Sequence, residues 1–127
     1  MSKECACGEA PRLIFACSGA ADVGAIADRA ARKLAAEGAG RMYCLAGIGG
    51  RIPGIVKTTE SASAILAIDG CPLDCAKACL EEAGIRSFAH LRVTDLGMEK
   101  GKTPVTEAAV ETAARKGREL LPREALA

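Results

Sequence analysis

Short apolar runs alternate along the chain with segments of helical periodicity. Residues 13–16 (Leu13, Ile14, Phe15, Ala16) are uniformly apolar and stop at Cys17, Ser18 and Gly19, the pattern of a strand buried on both faces. Val23, Ile26, Ala27, Ala30 and Leu34 then recur every 3.6 residues, with Asp28, Arg29, Arg32 and Lys33 on other faces. This predicts an amphipathic helix capped by Asp22 and stopped at Gly38 and Gly40. A second strand is expected over residues 41–45, running into the Gly-rich stretch 46–50, and Pro53 opens a short helix over 53–61. Residues 64–68 form the clearest strand, Pro72 opens a helix that ends before Gly84, and residues 87–93 form a weaker fourth strand. A polar loop over 94–103 leads to a last helix starting at Thr103 and Pro104 or at Thr106 and Glu107. Its inner face has Val105, Ala109, Val110, Ala113 and Leu120.

Strands that are apolar throughout, alternating with helices, mean a parallel sheet covered on both faces. The expected fold class is α/β: a small three-layer domain with a four-stranded, mainly parallel sheet in the flavodoxin-like order 2-1-3-4. Residues 12–127 form this single domain, and residues 1–11, which lack periodicity, form a flexible Cys-containing N-terminal arm.

Composition narrows the picture. A length of 127 residues suits one domain. Half of the residues are hydrophobic but only 2% are aromatic, so the core must be aliphatic and Ala-rich. Seventeen basic against sixteen acidic side chains leave a net charge of +1. That balance excludes electrostatic capture of nucleic acid or of an anionic membrane, and three aromatics make no stacking platform for single strands. No apolar run approaches the roughly 18 residues of a membrane span, and the N-terminus lacks the basic and apolar regions of a signal peptide. The expectation is a soluble, cytoplasmic protein. A homodimer through the Ala-rich helices is compatible with the pattern.

Seven cysteines are the compositional anomaly. An odd count in a reducing compartment argues against a disulfide framework. Cys17, Cys44 and Cys71 each fall at or just past the end of an expected strand. In a parallel sheet these ends share one edge, where such folds bind ligands. Strands about 4.8 Å apart bring neighbouring thiols within reach of one metal with bonds of about 2.3 Å. Cys75, one turn into the helix expected from Pro72, completes a soft set of four thiolates suited to Zn²⁺ or to an iron–sulfur cluster.

Other residues weigh less. Cys5 and Cys7 make a CxC on the arm that could add ligands, and Cys79 reads as packing filler. Gly47, Gly49 and Arg51 form a loop that lines the site, together with Ser18, Gly19 and Asp69. The loop matches no complete phosphate-binding motif. Asp69 and Asp74 are candidates for support from outside the ligand set. His90 has no neighbouring carboxylate in sequence and reads as structural, and Ser18 has no evident base. No catalytic constellation emerges, so the reading leans away from an enzyme.

Several segments resemble one family. Cys17-Ser18-Gly19 with Asp22-Val23-Gly24, then Cys44-Leu45-Ala46-Gly47-Ile48-Gly49-Gly50-Arg51, are similar to DGC-domain proteins. So are the central Ile68-Asp69-Gly70-Cys71-Pro72-Leu73-Asp74-Cys75-Ala76 and the later Val93-Thr94-Asp95-Leu96-Gly97. The resemblance runs from about residue 13 to 121. It implies zinc chelation by Cys17, Cys44, Cys71 and Cys75, carries no implication of an enzymatic activity, and says nothing firm of Cys5, Cys7 or Cys79. Three functions are therefore weighed. The first is a zinc-binding protein for metal storage, delivery or sensing. The second is a thiol-based redox or sulfur-transfer enzyme using the same cysteines, and the third is an iron–sulfur protein.

Overall fold

A strand that is apolar at every position needs cover on both faces, and the two central strands have it. In the computed structural model, which describes residues 10–121, β1 (Arg12–Ala16) and β3 (Ala64–Asp69) are buried beyond their first residue. They pair in parallel through five positions, from Arg12↔Ala64 to Ala16↔Ile68. The edges are β2 (Arg41–Met42) beside β1 and β4 (Ala89–Arg92) beside β3, both parallel. The order is β2-β1-β3-β4, the flavodoxin-like order expected.

Successive side chains of each strand enter opposite layers. Ile14, Ala16, Leu66 and Ile68 pack with α1 (Asp22–Ala36) and α5 (Glu107–Leu120). Leu13, Phe15, Ile65 and Ala67 face α2 (Leu45–Gly49), α3 (Pro53–Glu60) and α4 (Cys75–Glu82). The core is aliphatic and Ala-rich, with Phe15 the one aromatic among its largest fully buried side chains. No helix of the described residues is long and apolar enough to cross a membrane. Cys5, Cys7 and the arm up to residue 9 lie outside the described residues.

Five local expectations are corrected. The second strand is two residues long rather than five, and the Gly-rich stretch after it is helix α2 rather than loop. Tyr43 N still donates to Ile14 O at 2.9 Å, but Cys44 then caps α2, its sulfur accepting from Gly47 N at 3.3 Å. Asp22 is the first residue of α1 and not its cap, which is Ala21. The Asp22 carboxylate instead accepts the amides of Val23, Gly101 and Thr103 at 2.7–3.1 Å, tying the loop before α5 to the start of α1. Pro72 does not open α4: residues 71–74 form a turn closed by Asp74 N donating to Cys71 O at 3.1 Å, and the helix begins at Cys75. The fourth strand covers 89–92 only, because Val93–Leu96 coils into a 3-10 turn. The last helix starts after Thr106, whose hydroxyl accepts from Ala109 N at 3.1 Å.

Candidate functional site

The C-terminal edge of the sheet carries the chemistry, and backbone contact assembles it. Gly70 follows β3, and a Cβ there would lie 2.8–2.9 Å from backbone atoms of Val23 and Gly24. A Cβ on Gly24 would in turn lie 2.6 Å from Gly19 O. These bare glycines let the end of β3, the first turn of α1 and the loop after β1 touch, which brings Cys17 and Cys71 to one corner.

Cys17 continues the ladder, its amide donating to Ile68 O at 3.0 Å. Its half-buried thiol has its pKa raised, first by burial and further by Asp69 and Cys75, against the opposing influence of the Gly19 and Gly70 amides. Cys44 is exposed at the cap of α2. Cys71 is partly exposed, with Lys100 Nζ 3.6 Å from its sulfur. Cys75 is exposed at the first turn of α4. All four are free thiols at one edge, yet no three of their sulfurs gather within 4.8 Å of one another. They do not form a closed, preassembled metal cage.

Backbone strain concentrates beside these thiols. Among the described residues, Ser18, Arg51 and Asp74 are the non-glycine positions with positive φ, at 51°, 57° and 54°. Ser18 follows Cys17, Asp74 precedes Cys75, and Arg51 ends the α2 turn that Cys44 begins. Left-handed non-glycine residues persist where surroundings hold them, commonly at functional sites. Ser18 does have a carboxylate partner: its hydroxyl donates to Asp28 Oδ1 at 2.7 Å, and Arg32 Nε donates to Asp28 Oδ2 at 2.7 Å. Partial burial raises the Asp28 pKa, but the bonds from Arg32 and Ser18 outweigh it and the net shift is downward. Asp28 is therefore a poor base, and the trio locks the loop rather than activating a nucleophile. Gly47 and Gly49 lie within α2, and Arg51 pairs with Glu82 at 3.6 Å.

Asp69 and Asp74 have the supporting place expected of them, but the sequence does not show that His90 and Arg92 join them in one polar network. Asp69, 1% exposed, accepts from Ala76 N at 2.7 Å and from Lys77 N at 3.1 Å, and lies 2.9 Å from His90 Nε2. It thus caps α4 from the end of β3. His90 also reaches Asp74 at 3.7 Å, and Arg92 grips Asp74 with two bonds of 2.9 and 2.8 Å. Arg92 holds the Asp74 carboxyl below its ordinary pKa. Asp69, Asp74 and His90 are the one group of potential metal donors that comes together among the described residues. Their oxygens already serve two amides and a guanidinium, so they read as a frame for Cys75. The adjacency of β3 and β4 was the available signal, since Asp69 pairs with Arg92 in register.

A family model described as the DGC domain matches residues 13–116. The chain is 39% identical over 88 residues to the anaerobic and virulence modulator AnvM of Pseudomonas aeruginosa, covering 69% of this chain and 67% of that relative. No solved structure matches.

Proposed function

The chain belongs to the DGC-domain family, and on that premise we propose that it binds a soft metal ion, zinc foremost, through thiolates at the C-terminal edge of the sheet. The supporting observation is the arrival of four free cysteines there from separate elements. Thiolate donors suit Zn²⁺. Cys17, Cys44, Cys71 and Cys75 would hold it, and the ion would supply charge that keeps the thiols deprotonated. The ungathered sulfurs argue for exchangeable binding, in storage, delivery or sensing, over a permanent structural centre. The aliphatic core of two buried clusters can support the fold without metal. The relative is named a modulator, which favours sensing.

Elemental analysis of protein purified anaerobically without an affinity metal, on wild type and Cys71→Ser in parallel, tests this reading. About one zinc per wild-type chain and none in the variant supports it. No metal in either overturns it, and a brown, iron-containing protein replaces zinc with a cluster.

A second reading, thiol-based redox or sulfur-transfer chemistry, is favoured by the Lys100 ammonium standing beside Cys71, since a neighbouring cation assists a thiolate. It expects Cys71 to alkylate well ahead of the other cysteines in metal-free protein at neutral pH. Equal, slow labelling of all cysteines removes it.

A further inference from the structure

The cysteine edge carries an amine as well as sulfur. Lys100 Nζ stands 3.6 Å from the Cys71 sulfur, and the loop that presents it is built to hold it there. Residues 99–103 close on themselves: Glu99 N donates to Thr103 Oγ1 at 2.7 Å, Thr103 Oγ1 donates to Glu99 O at 2.9 Å, and Lys102 N donates to the same carbonyl at 3.0 Å. Gly101, with φ of 87°, turns the chain directly after Lys100. Asp22 fixes the turn to the start of α1 through the amides of Gly101 and Thr103. On the approach to the loop, Thr94 N donates to Gly70 O at 3.2 Å, one residue before Cys71. Both ties lead to the corner where Gly70 meets the first turn of α1, so Lys100 and Cys71 share one anchored frame. Lys100 is exposed and Cys71 partly so. Among the described residues no carboxylate pairs with this ammonium, and the sulfur is its polar neighbour.

We infer that Cys71 and Lys100 are the site of a reversible covalent bridge, a sulfenamide formed when a peroxide oxidises the cysteine. The Cys71 thiol takes one oxygen from hydrogen peroxide, giving a sulfenic acid and one water. Lys100, once its ammonium has given a proton to solvent, attacks that sulfur with the nitrogen lone pair. The S–N bond forms as the S–O bond breaks, and the leaving hydroxide takes a proton from nitrogen to become the second water. One thiol, one amine and one peroxide thus give one S–N bond and two waters. Sulfenic acids condense with a thiol or a nitrogen, and the nitrogen in contact here is a side-chain amine. The lysine stem is flexible, so closing the remaining gap disturbs no cap and no strand. Two molecules of a thiol reductant reopen the bridge, returning thiol and amine and leaving one disulfide of the reductant. Bridging takes one sulfur out of the four proposed zinc ligands, but the reaction needs no metal and stands or falls apart from the zinc reading.

The full chain, metal-free, is treated with hydrogen peroxide, digested without reductant and mapped by mass spectrometry, on wild type, Cys71→Ser, Lys100→Arg and Lys102→Arg. Wild type and Lys102→Arg are expected to yield a peptide that joins Cys71 to Lys100, lighter than its two parts by two hydrogens and released by a thiol reductant. Cys71→Ser and Lys100→Arg are expected to lose it. Lys100→Arg keeps the charge and removes the amine, so its loss of the linked peptide assigns a covalent role rather than an electrostatic one. Sulfinic acid at Cys71 should rise in the same variant, because the sulfenic acid is no longer trapped. Circular dichroism checks that the variants fold, and the linked peptide in wild type is read without any substitution. Three outcomes overturn the inference: Cys71 oxidised to sulfinic acid or joined to another cysteine with no link to Lys100, Cys71 linked as readily to Lys102, or Cys71 unmodified at doses that oxidise the other cysteines. Absence of zinc binding with the linked peptide present removes the zinc proposal and leaves this one standing.

Discussion

The carboxylate of Asp69, at the end of β3, lies 2.9 Å from the Nε2 of His90 on the neighbouring strand. The same carboxylate accepts the second and third amides of α4, from Ala76 and Lys77. One buried side chain therefore joins strand end, edge strand and helix start. The first residue of that helix is Cys75, so the orientation of its thiol depends on a residue six positions earlier.

Replacing Asp69 with Ala should leave both amides unpaired at a buried helix start. Loss of a cap and of charge-assisted bonds predicts a destabilisation of about 2–3 kcal/mol. Urea unfolding measures it, and a change within about 0.5 kcal/mol would mean that water or the Asp74 carboxylate takes over the capping.

Gly70→Ala should be costly for a different reason. Its Cβ would meet the backbone of Val23 and Gly24 at 2.8–2.9 Å, and backbone cannot rotate away as a side-chain tip can. Overpacking of this kind costs about 1–3 kcal/mol. Because the contact holds Cys71 near Cys17, zinc retention should fall along with the urea midpoint. A variant of wild-type stability and metal content would refute this account of the corner.

The elements legible in the sequence are those whose environment is repetitive. β1 and β3 are buried on both faces, so an unbroken apolar run is their signature. α1 is long enough for its periodicity to show. α2 and the start of α4 were not legible, because what forms them is non-local. A five-residue helix with two glycines has little intrinsic stability. It is held by the Cys44 cap and by packing against α4 and the sheet. The cap of α4 reaches across a turn from β3, whereas the local sequence points to Pro72 as the start. His90 looked alone for the same reason: its carboxylates come from an adjacent strand and from the turn before α4. The edge of the sheet as the place for the cysteines was legible from the alternation, whereas the spacing of their sulfurs was not, since it depends on those two helix starts.

Asp22 sets a pH dependence. Its carboxyl pKa is lowered, chiefly by the amide of Gly101 and further by those of Thr103 and Val23. A group depressed in the folded state stabilises it fully above its unfolded value, about 3.9, and that contribution disappears as pH falls through the lower folded value. Asp22→Asn should therefore melt below wild type at pH 7, and the gap should narrow on acidification below about pH 4. Thermal midpoints between pH 7 and 2 measure this. A gap that stays constant with pH would show that the three amides bind the uncharged side chain as well.

Metal removal separates an exchangeable site from a structural one. Buried core lies on both faces of the sheet, and the buried members of each cluster come mostly from the strands and helices, with Cys17, Cys71 and Cys79 only partly buried at their margins. Most of the buried apolar surface thus lies outside the thiols, unlike a zinc finger, whose metal supplies the folding free energy. Chelator-treated protein should keep its far-ultraviolet circular dichroism and unfold cooperatively. Added zinc should then raise stability only by mass action, about 2.7 kcal/mol when free zinc is one hundred times its dissociation constant. Cys71→Ser should retain the fold and lose this increment. Collapse of the secondary structure on chelation would instead make the metal a structural part of the domain, in which case the four sulfurs must close around it during folding.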